Sequence, residues 1–251
     1  FFRDLRDFVL APAVVILGGN DNGSDEDDDP ATHPLAGDGF VLPIPQDRSG
    51  NGWVARKDPL GYWVLFDRAG GTKVRFTFDR NQPKIERASY PELVDVKITD
   101  FCPFGAPRAP GDRSPPTACD LCYQASAPAG RHATKDALRV AEQALSWEDF
   151  GRDGLGGVFE AAIGGGEPTL YPGFFGWLEE LRKYHGVVPN FTTRNLQWLG
   201  NQEMSSRAAA VVGGVAVSVN DAREVRAAAH AADRGGFPRT RLSAQYVVGL
   251  P

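Results

Sequence analysis

From Leu93 onward, strand-forming runs alternate with helical ones, and this alternation restricts the fold more than any other feature of the chain. Leu93–Ile98 reads as a strand. Thr134 can cap a helix through about Phe150, with Leu138, Val140, Ala141, Ala144, Leu145 and Trp147 at apolar positions. Val158–Ile163 is a strand, and Pro172–His185 a helix with Phe174, Phe175, Trp177, Leu178 and Leu181 on its core side. Val187–Thr193, Val215–Val219 and Leu242–Val248 follow as strands, separated by helices over Gln202–Val212 and Asp221–Arg234. The connections suit right-handed crossovers. The expectation is an α/β fold: a parallel sheet with helices outside, as a partial or full barrel or as an open doubly wound sheet. In either, ligands sit at the carboxyl ends of the strands. The polar and glycine-rich motifs fall there. The first strand runs into the cysteines and the second into Gly164-Gly165-Gly166-Glu167-Pro168. The third ends in Thr192-Thr193-Arg194-Asn195, and the fourth closes on Ser218 and Asn220.

Residues 1–90 read differently, as an N-terminal extension to a core over 91–251. The apolar run at 8–17 suits a buried strand or helix; it is too short to span a bilayer and contains Pro12. Arg3 and Arg6 are offset by Asp4 and Asp7, so a signal peptide is not expected. The acidic run Asp25–Asp29 lacks the glycine and distant glutamate of an EF-hand and reads as a solvated loop. Tyr62–Phe66 and Lys73–Phe78 are strands joined by the turn Asp67–Thr72, with Val74, Phe76 and Phe78 forming one buried face. The formal net charge of -5 predicts no non-specific pull towards nucleic acid or an anionic membrane.

All three cysteines of the chain, Cys102, Cys119 and Cys122, lie in one window as C-x16-C-x2-C. That clustering asks for a metal or redox explanation and points to a reducing, cytoplasmic setting. Three thiolates can bind zinc, with His132 as the nearest fourth ligand, or three irons of a cubane cluster that leaves one iron open. A thioredoxin-like pair at Cys119 and Cys122 would leave Cys102 unexplained. The glycine run lets a backbone approach a ligand without interference from a Cβ. Thr193, Asn195, Ser218 and Asn220 suit either ligand contacts or ordinary capping and turn chemistry. Val247 and Val248 on the last strand suit a core, where strand valines usually belong.

From about Leu93 the chain resembles the radical S-adenosylmethionine (radical SAM) enzymes. The resemblance rests on Cys102, Cys119 and Cys122 after the first strand, with Leu121 and Tyr123 flanking the last cysteine. It rests equally on Gly164 to Pro168 after the second strand, which is similar to that family's glycine-glycine-glutamate-proline motif. It implies a partial parallel (β/α) barrel of the radical SAM type with an N-terminal β-rich extension. It implies a [4Fe-4S] cluster on the three cysteines, S-adenosyl-L-methionine chelating the open iron, and an electron donor such as a flavodoxin or ferredoxin. Reductive cleavage of the sulfonium would give a 5′-deoxyadenosyl radical that takes a hydrogen from a substrate the sequence does not identify. Glu167 would meet the ligand's ammonium, Thr193, Asn195, Ser218 and Asn220 its ribose or carboxylate, and Val247 and Val248 would flank its adenine.

The chain departs from the family's C-x3-C-x2-C spacing, since Ala106 stands where the second cysteine is expected. The normal look of Cys119-Asp120-Leu121-Cys122-Tyr123 implies an insertion, Ala106 to Ala118, rather than a lost ligand. Pro107, Pro110, Pro115 and Pro116 lower the entropy of ordering so long a loop, and Arg108 and Arg113 could offset a cluster's negative charge. The core has one strand fewer than the family's, so it is expected to be incomplete at its C-terminal end. Two rivals stand beside this reading: a zinc-stabilised binding protein using His132, and a family member that has lost activity.

Overall fold

The computed structural model describes residues 41–43, 52–77, 88–104, 122, 124–146 and 157–246, with only the backbone at 41–43. The expected features at 8–17, 25–29 and 106–118, and at Cys119, Leu121, Tyr123, Phe78, Trp147, Val247 and Val248, lie outside these residues. The chain divides into two compact units, Phe1–Tyr90 and Pro91–Pro251.

The first unit holds an antiparallel meander of β1 (Val41–Pro43), β2 (Trp53–Lys57), β3 (Trp63–Asp67) and β4 (Lys73–Phe76), in that spatial order. The β3–β4 hairpin matches the sequence expectation. β1 and β2 were not marked as strands from the sequence. The Asp67 carboxylate closes the hairpin turn by accepting from the Ala69 and Gly70 amides, each at 2.9 Å. Asp58 performs a second closure. Its carboxylate is fully buried and accepts from the Leu60 and Ser89 amides, each at 2.9 Å, and from the Ser89 hydroxyl.

The second unit is a five-stranded parallel sheet in consecutive order: β5 (Leu93–Thr99), β6 (Glu160–Gly165), β7 (Val188–Thr193), β8 (Val215–Ser218) and β9 (Leu242–Gln245). Its crossovers carry α1 (Lys135–Leu145), α2 (Phe174–Lys183), α3 (Gln202–Val211) and α4 (Ala222–Gly235). Consecutive order has no switch point, so right-handed crossovers place every helix on the same face. The packing agrees. Ile98, Ile163, Phe191 and Val215 of the strands share one core with Leu138, Leu178, Ala208 and Ala232 of the four helices. An aromatic chain runs through it: Phe174 meets Phe191 edge-on at 5.1 Å, Phe191 meets Trp198 at 5.3 Å, and Trp198 meets Phe237 at 5.7 Å.

The opposite face of the sheet is polar. Asp95 and Lys97 on β5, Asn190 and Thr192 on β7, Ser218 on β8 and Ser243 and Gln245 on β9 all line one cavity. A doubly wound sheet would bury this face under helices and demand continuous apolar strands. The doubly wound alternative of the sequence analysis is therefore not the one adopted by these strands, and no closed barrel is formed among the described residues.

Most element limits fall close to expectation. The clearest differences have simple causes. Thr134 caps α1 as expected, accepting from the Ala137 amide at 3.2 Å, but Val140 is 64% exposed. Leu138 and Leu145 are two helical turns apart and bury together, which turns Val140 to the far side. β6 begins later than expected and runs into Gly164 and Gly165, because the glycine run pairs with β5 as strand. α2 buries Phe174, Phe175, Trp177, Leu178 and Leu181, as expected. Among the described residues, no helix is long and apolar enough to cross a membrane.

The Asp58 closure has a pH signature. Burial pushes its carboxyl up, but the Ser89 hydroxyl and the Leu60 and Ser89 amides outweigh burial and hold it below the ordinary aspartate value. A group whose folded value is depressed stabilises the fold above its unfolded value and loses that contribution as pH falls through the folded one. Asp58→Asn is expected to cost about 2–3 kcal/mol at neutral pH and to flatten the loss of stability below about pH 4. Urea unfolding followed at neutral and acid pH measures both.

Candidate functional site

The site is built on the last residue of β5 and the three that follow it. Thr99 to Cys102 are held from two sides by backbone hydrogen bonds. From the glycine run, the Gly166 amide donates to the Thr99 carbonyl at 2.7 Å and the Glu167 amide to the Phe101 carbonyl at 2.8 Å. From the segment returning out of the cysteine loop, the Arg131 carbonyl accepts from the Asp100 amide at 2.8 Å. On the same side the Ala127 amide donates to the Asp100 carbonyl at 3.0 Å, and the Ala127 carbonyl accepts from the Cys102 amide at 3.0 Å. Chain on both sides approaches closely, and glycine is what permits it. A Cβ on Gly165 would lie 2.1 Å from the Thr99 carbonyl oxygen, and one on Gly166 would lie 2.0 Å from that of Phe101. Gly130 meets the Asp100 carbonyl oxygen at the same 2.0 Å from the other side. Gly165 also has φ 112°, opposite the point where the β5–β6 register shifts.

Gly165 and Gly166 thus make room for the protein's own backbone. A Cβ on Gly164 meets nothing within 4 Å, and all three glycines line the cavity.

Cys102 and Cys122 are half-buried on the wall of that cavity, which has a volume of about 970 Å³. Gly164, Gly165, Gly166, Glu167, Thr193 and Ser218 line it too, so the structure brings most of the sequence-derived candidates to one place. Cys122 Sγ accepts a hydrogen bond from the Ser126 amide at 3.4 Å. Among the described residues, no group of three or more His, Cys, Asp or Glu side chains is placed to hold a metal ion; Cys119 lies outside them.

Glu167 is 2% exposed and occupied within the chain. Oε1 accepts from the Thr169 hydroxyl at 2.6 Å, the Thr169 amide at 3.3 Å and the Thr193 hydroxyl at 2.7 Å, while Oε2 accepts from the Arg194 amide at 2.9 Å. The carboxylate thus ties the turn after β6 to the end of β7. Pro168 opens the 3-10 turn Pro168–Leu170, where a missing amide hydrogen costs nothing.

Asn195 and Asn220 do not reach the cavity. Asn195 donates to the Thr169 hydroxyl at 3.0 Å and accepts from the Gln197 amide at 3.1 Å. Asn220 donates its amide to Glu224 at 2.8 Å, beside Asp221, which caps α4. Both follow the capping alternative. His132 is engaged elsewhere: its Nδ1 lies 2.9 Å from the Thr99 hydroxyl, and its ring meets Phe101 and Tyr171, each at 5.5 Å.

Three cations that the sequence analysis did not select, Lys97, Arg194 and Arg241, stand in the cavity wall. Lys97 pairs with Asp100 at 2.5 Å and donates to the Gln124 carbonyl at 3.2 Å, gripping the cysteine turn from β5. The Arg194 guanidinium lies 3.4 Å from Glu224. The missed signal was strand alternation: Asp95 and Lys97, and Asn190 and Thr192, occupy every second position of otherwise apolar runs.

No protein-family model matches the chain, and no curated protein matches it.

The glycine assignments separate cleanly by mutation. Gly166→Ala is expected to cost more than about 3 kcal/mol, because its methyl meets a carbonyl that cannot retreat without breaking the strap. Gly164→Ala is expected to change stability by less than about 1 kcal/mol. Thermal unfolding of the two variants beside the parent decides the matter.

Proposed function

We propose that the second unit is a radical SAM core, and that the chain uses a [4Fe-4S] cluster to cleave S-adenosyl-L-methionine reductively. The observation that carries this reading is that Cys102, Cys122 and Gly164 line one cavity at the carboxyl ends of consecutive parallel strands.

The donor set suits such a group. Cys102 and Cys122, with Cys119, would supply three soft thiolates, the ligands that iron–sulfur clusters prefer. Gly164 offers open space beside them for the backbone approach of a small ligand. Bound there, the cluster and S-adenosyl-L-methionine supply one-electron chemistry that delivers a 5′-deoxyadenosyl radical.

The protein's own residues do the rest. Glu167 fixes the turn that carries the glycine run. Lys97 and Arg194 bring positive charge to a site that would hold thiolates and a carboxylate ligand. The hydroxyls and amides of the polar sheet face, from Asn190 to Gln245, form a surface suited to a hydrogen-bonding substrate rather than a lipid. The partial-barrel architecture of that family is the natural completion of a singly wound sheet whose polar face looks inward.

The test is anaerobic reconstitution with iron and sulfide, reduction, and addition of S-adenosyl-L-methionine. Cluster formation and release of 5′-deoxyadenosine are expected, and Cys102→Ala, Cys119→Ala and Cys122→Ala should each reduce 5′-deoxyadenosine to background. One zinc without sulfide would sink the reading. Full activity in Cys119→Ala would sink the insertion argument.

A further inference from the structure

The turn at Gln124 to Ser126, beside Cys122, is built in a way that its sequence does not require. Ala125 has φ 52° and is the one non-glycine residue with positive φ among the described residues. An alanine held in the left-handed region costs about 1–2 kcal/mol. Its side chain is exposed, so no packing explains the conformation. The bend instead has a consequence for the backbone. The Ala125 amide donates to the Cys122 carbonyl at 2.9 Å, and the next amide, that of Ser126, turns onto Cys122 Sγ at 3.4 Å.

The turn is held at both ends. Lys97 Nζ donates to the Gln124 carbonyl at 3.2 Å, and the Ala127 amide donates to the Asp100 carbonyl at 3.0 Å. Ser126 is 2% exposed, so the donor is shielded from water and acts at full electrostatic strength. Its hydroxyl is buried with no hydrogen-bond partner, a cost that the local structure carries in addition to the bend.

We propose that this turn sets the reduction potential of the iron–sulfur group, with Ala125 and Ser126 as positioning residues that aim one backbone N–H at the Cys122 sulfur. The inference rests on the radical SAM reading. A donor on a ligating sulfur withdraws electron density and favours the more negative, reduced state, which raises the potential. A buried amide beside a partly buried thiolate does this without adding a charge.

The experiment compares the reconstituted parent with Ala125→Gly, Ala125→Val and Ser126→Ala. The readouts are iron and sulfide content, midpoint potential by redox titration followed by electron paramagnetic resonance, and the iron–sulfur stretching bands in H2O and D2O by resonance Raman. Glycine accepts the left-handed bend, so Ala125→Gly should keep the parent's midpoint and melt higher. A β-branched residue rejects the bend, so Ala125→Val should move the midpoint to more negative values at unchanged iron content and lose the deuterium shift of the bands. Ser126→Ala keeps the amide and should keep both signals.

A parent midpoint in a fully loaded Ala125→Val would overturn the inference, as would a parent without any deuterium shift. A midpoint change in Ser126→Ala alone would transfer the role to the hydroxyl and overturn it too. If Ala125→Val takes up no cluster, the deuterium shift of the parent decides. A parent that takes up no iron and sulfide sinks the radical SAM reading and this inference with it, whereas a loaded but insensitive cluster sinks only this one.

Discussion

Thr99 to Cys102 are clasped between two other stretches of backbone, and the arrangement of the site depends on that clasp. β5 alone would release its chain into solvent at Thr99. The amides of Gly166 and Glu167 catch it on one side, and Ala127 and Arg131 catch it on the other. Five backbone hydrogen bonds over four residues leave Cys102 little freedom, and the return segment that makes some of them also carries Cys122. The approach is close enough that a single methyl at Gly130, Gly165 or Gly166 would overlap a carbonyl oxygen. Thr99 to Cys102 and the glycine run are therefore one piece of structure, although about sixty residues separate them in sequence.

Buried charge reinforces the clasp one strand further on. The Glu167 carboxylate lies out of water and is stabilised by four donors drawn from two loops. That fixes the end of β6 relative to the end of β7. Lys97 performs the matching task towards the cysteine turn. The cavity wall is thus held by short polar ties at its rim, while the aromatic chain from Phe174 to Phe237 supports the sheet from behind.

The sequence revealed the helices and strands of the second unit well, because each has an amphipathic period and a recognisable start. Thr134, Asn201 and Asp221 all cap as their side chains suggest. It also located the cysteines and the glycine run at strand ends. It could not show which glycines also face a neighbouring backbone, since that depends on what lies across from each of them. Asn195 and Asn220 stayed open between ligand contact and capping for the same reason: a polar residue at a strand end satisfies a turn as readily as a substrate, and only the partners distinguish the two. β1 and β2 escaped notice because a short antiparallel strand gains its stability from its neighbours rather than from its own composition. The choice between a doubly wound and a singly wound sheet was legible in principle. Asp95 and Lys97, or Asn190 and Thr192, would be intolerable on a strand covered on both faces.

A sheet whose helices all lie on one side divides the labour of its strands by parity. Odd and even positions answer to different demands: one set maintains the packed interior, the other meets whatever enters the hollow. Residues such as Thr192, Ser218, Ser243 and Gln245 contribute almost nothing to the helix-packed core. Their identity can drift without melting the protein, and selectivity can be rewritten along one face while the scaffold behind it stays the same. Such an architecture separates evolvability from stability within the same five strands.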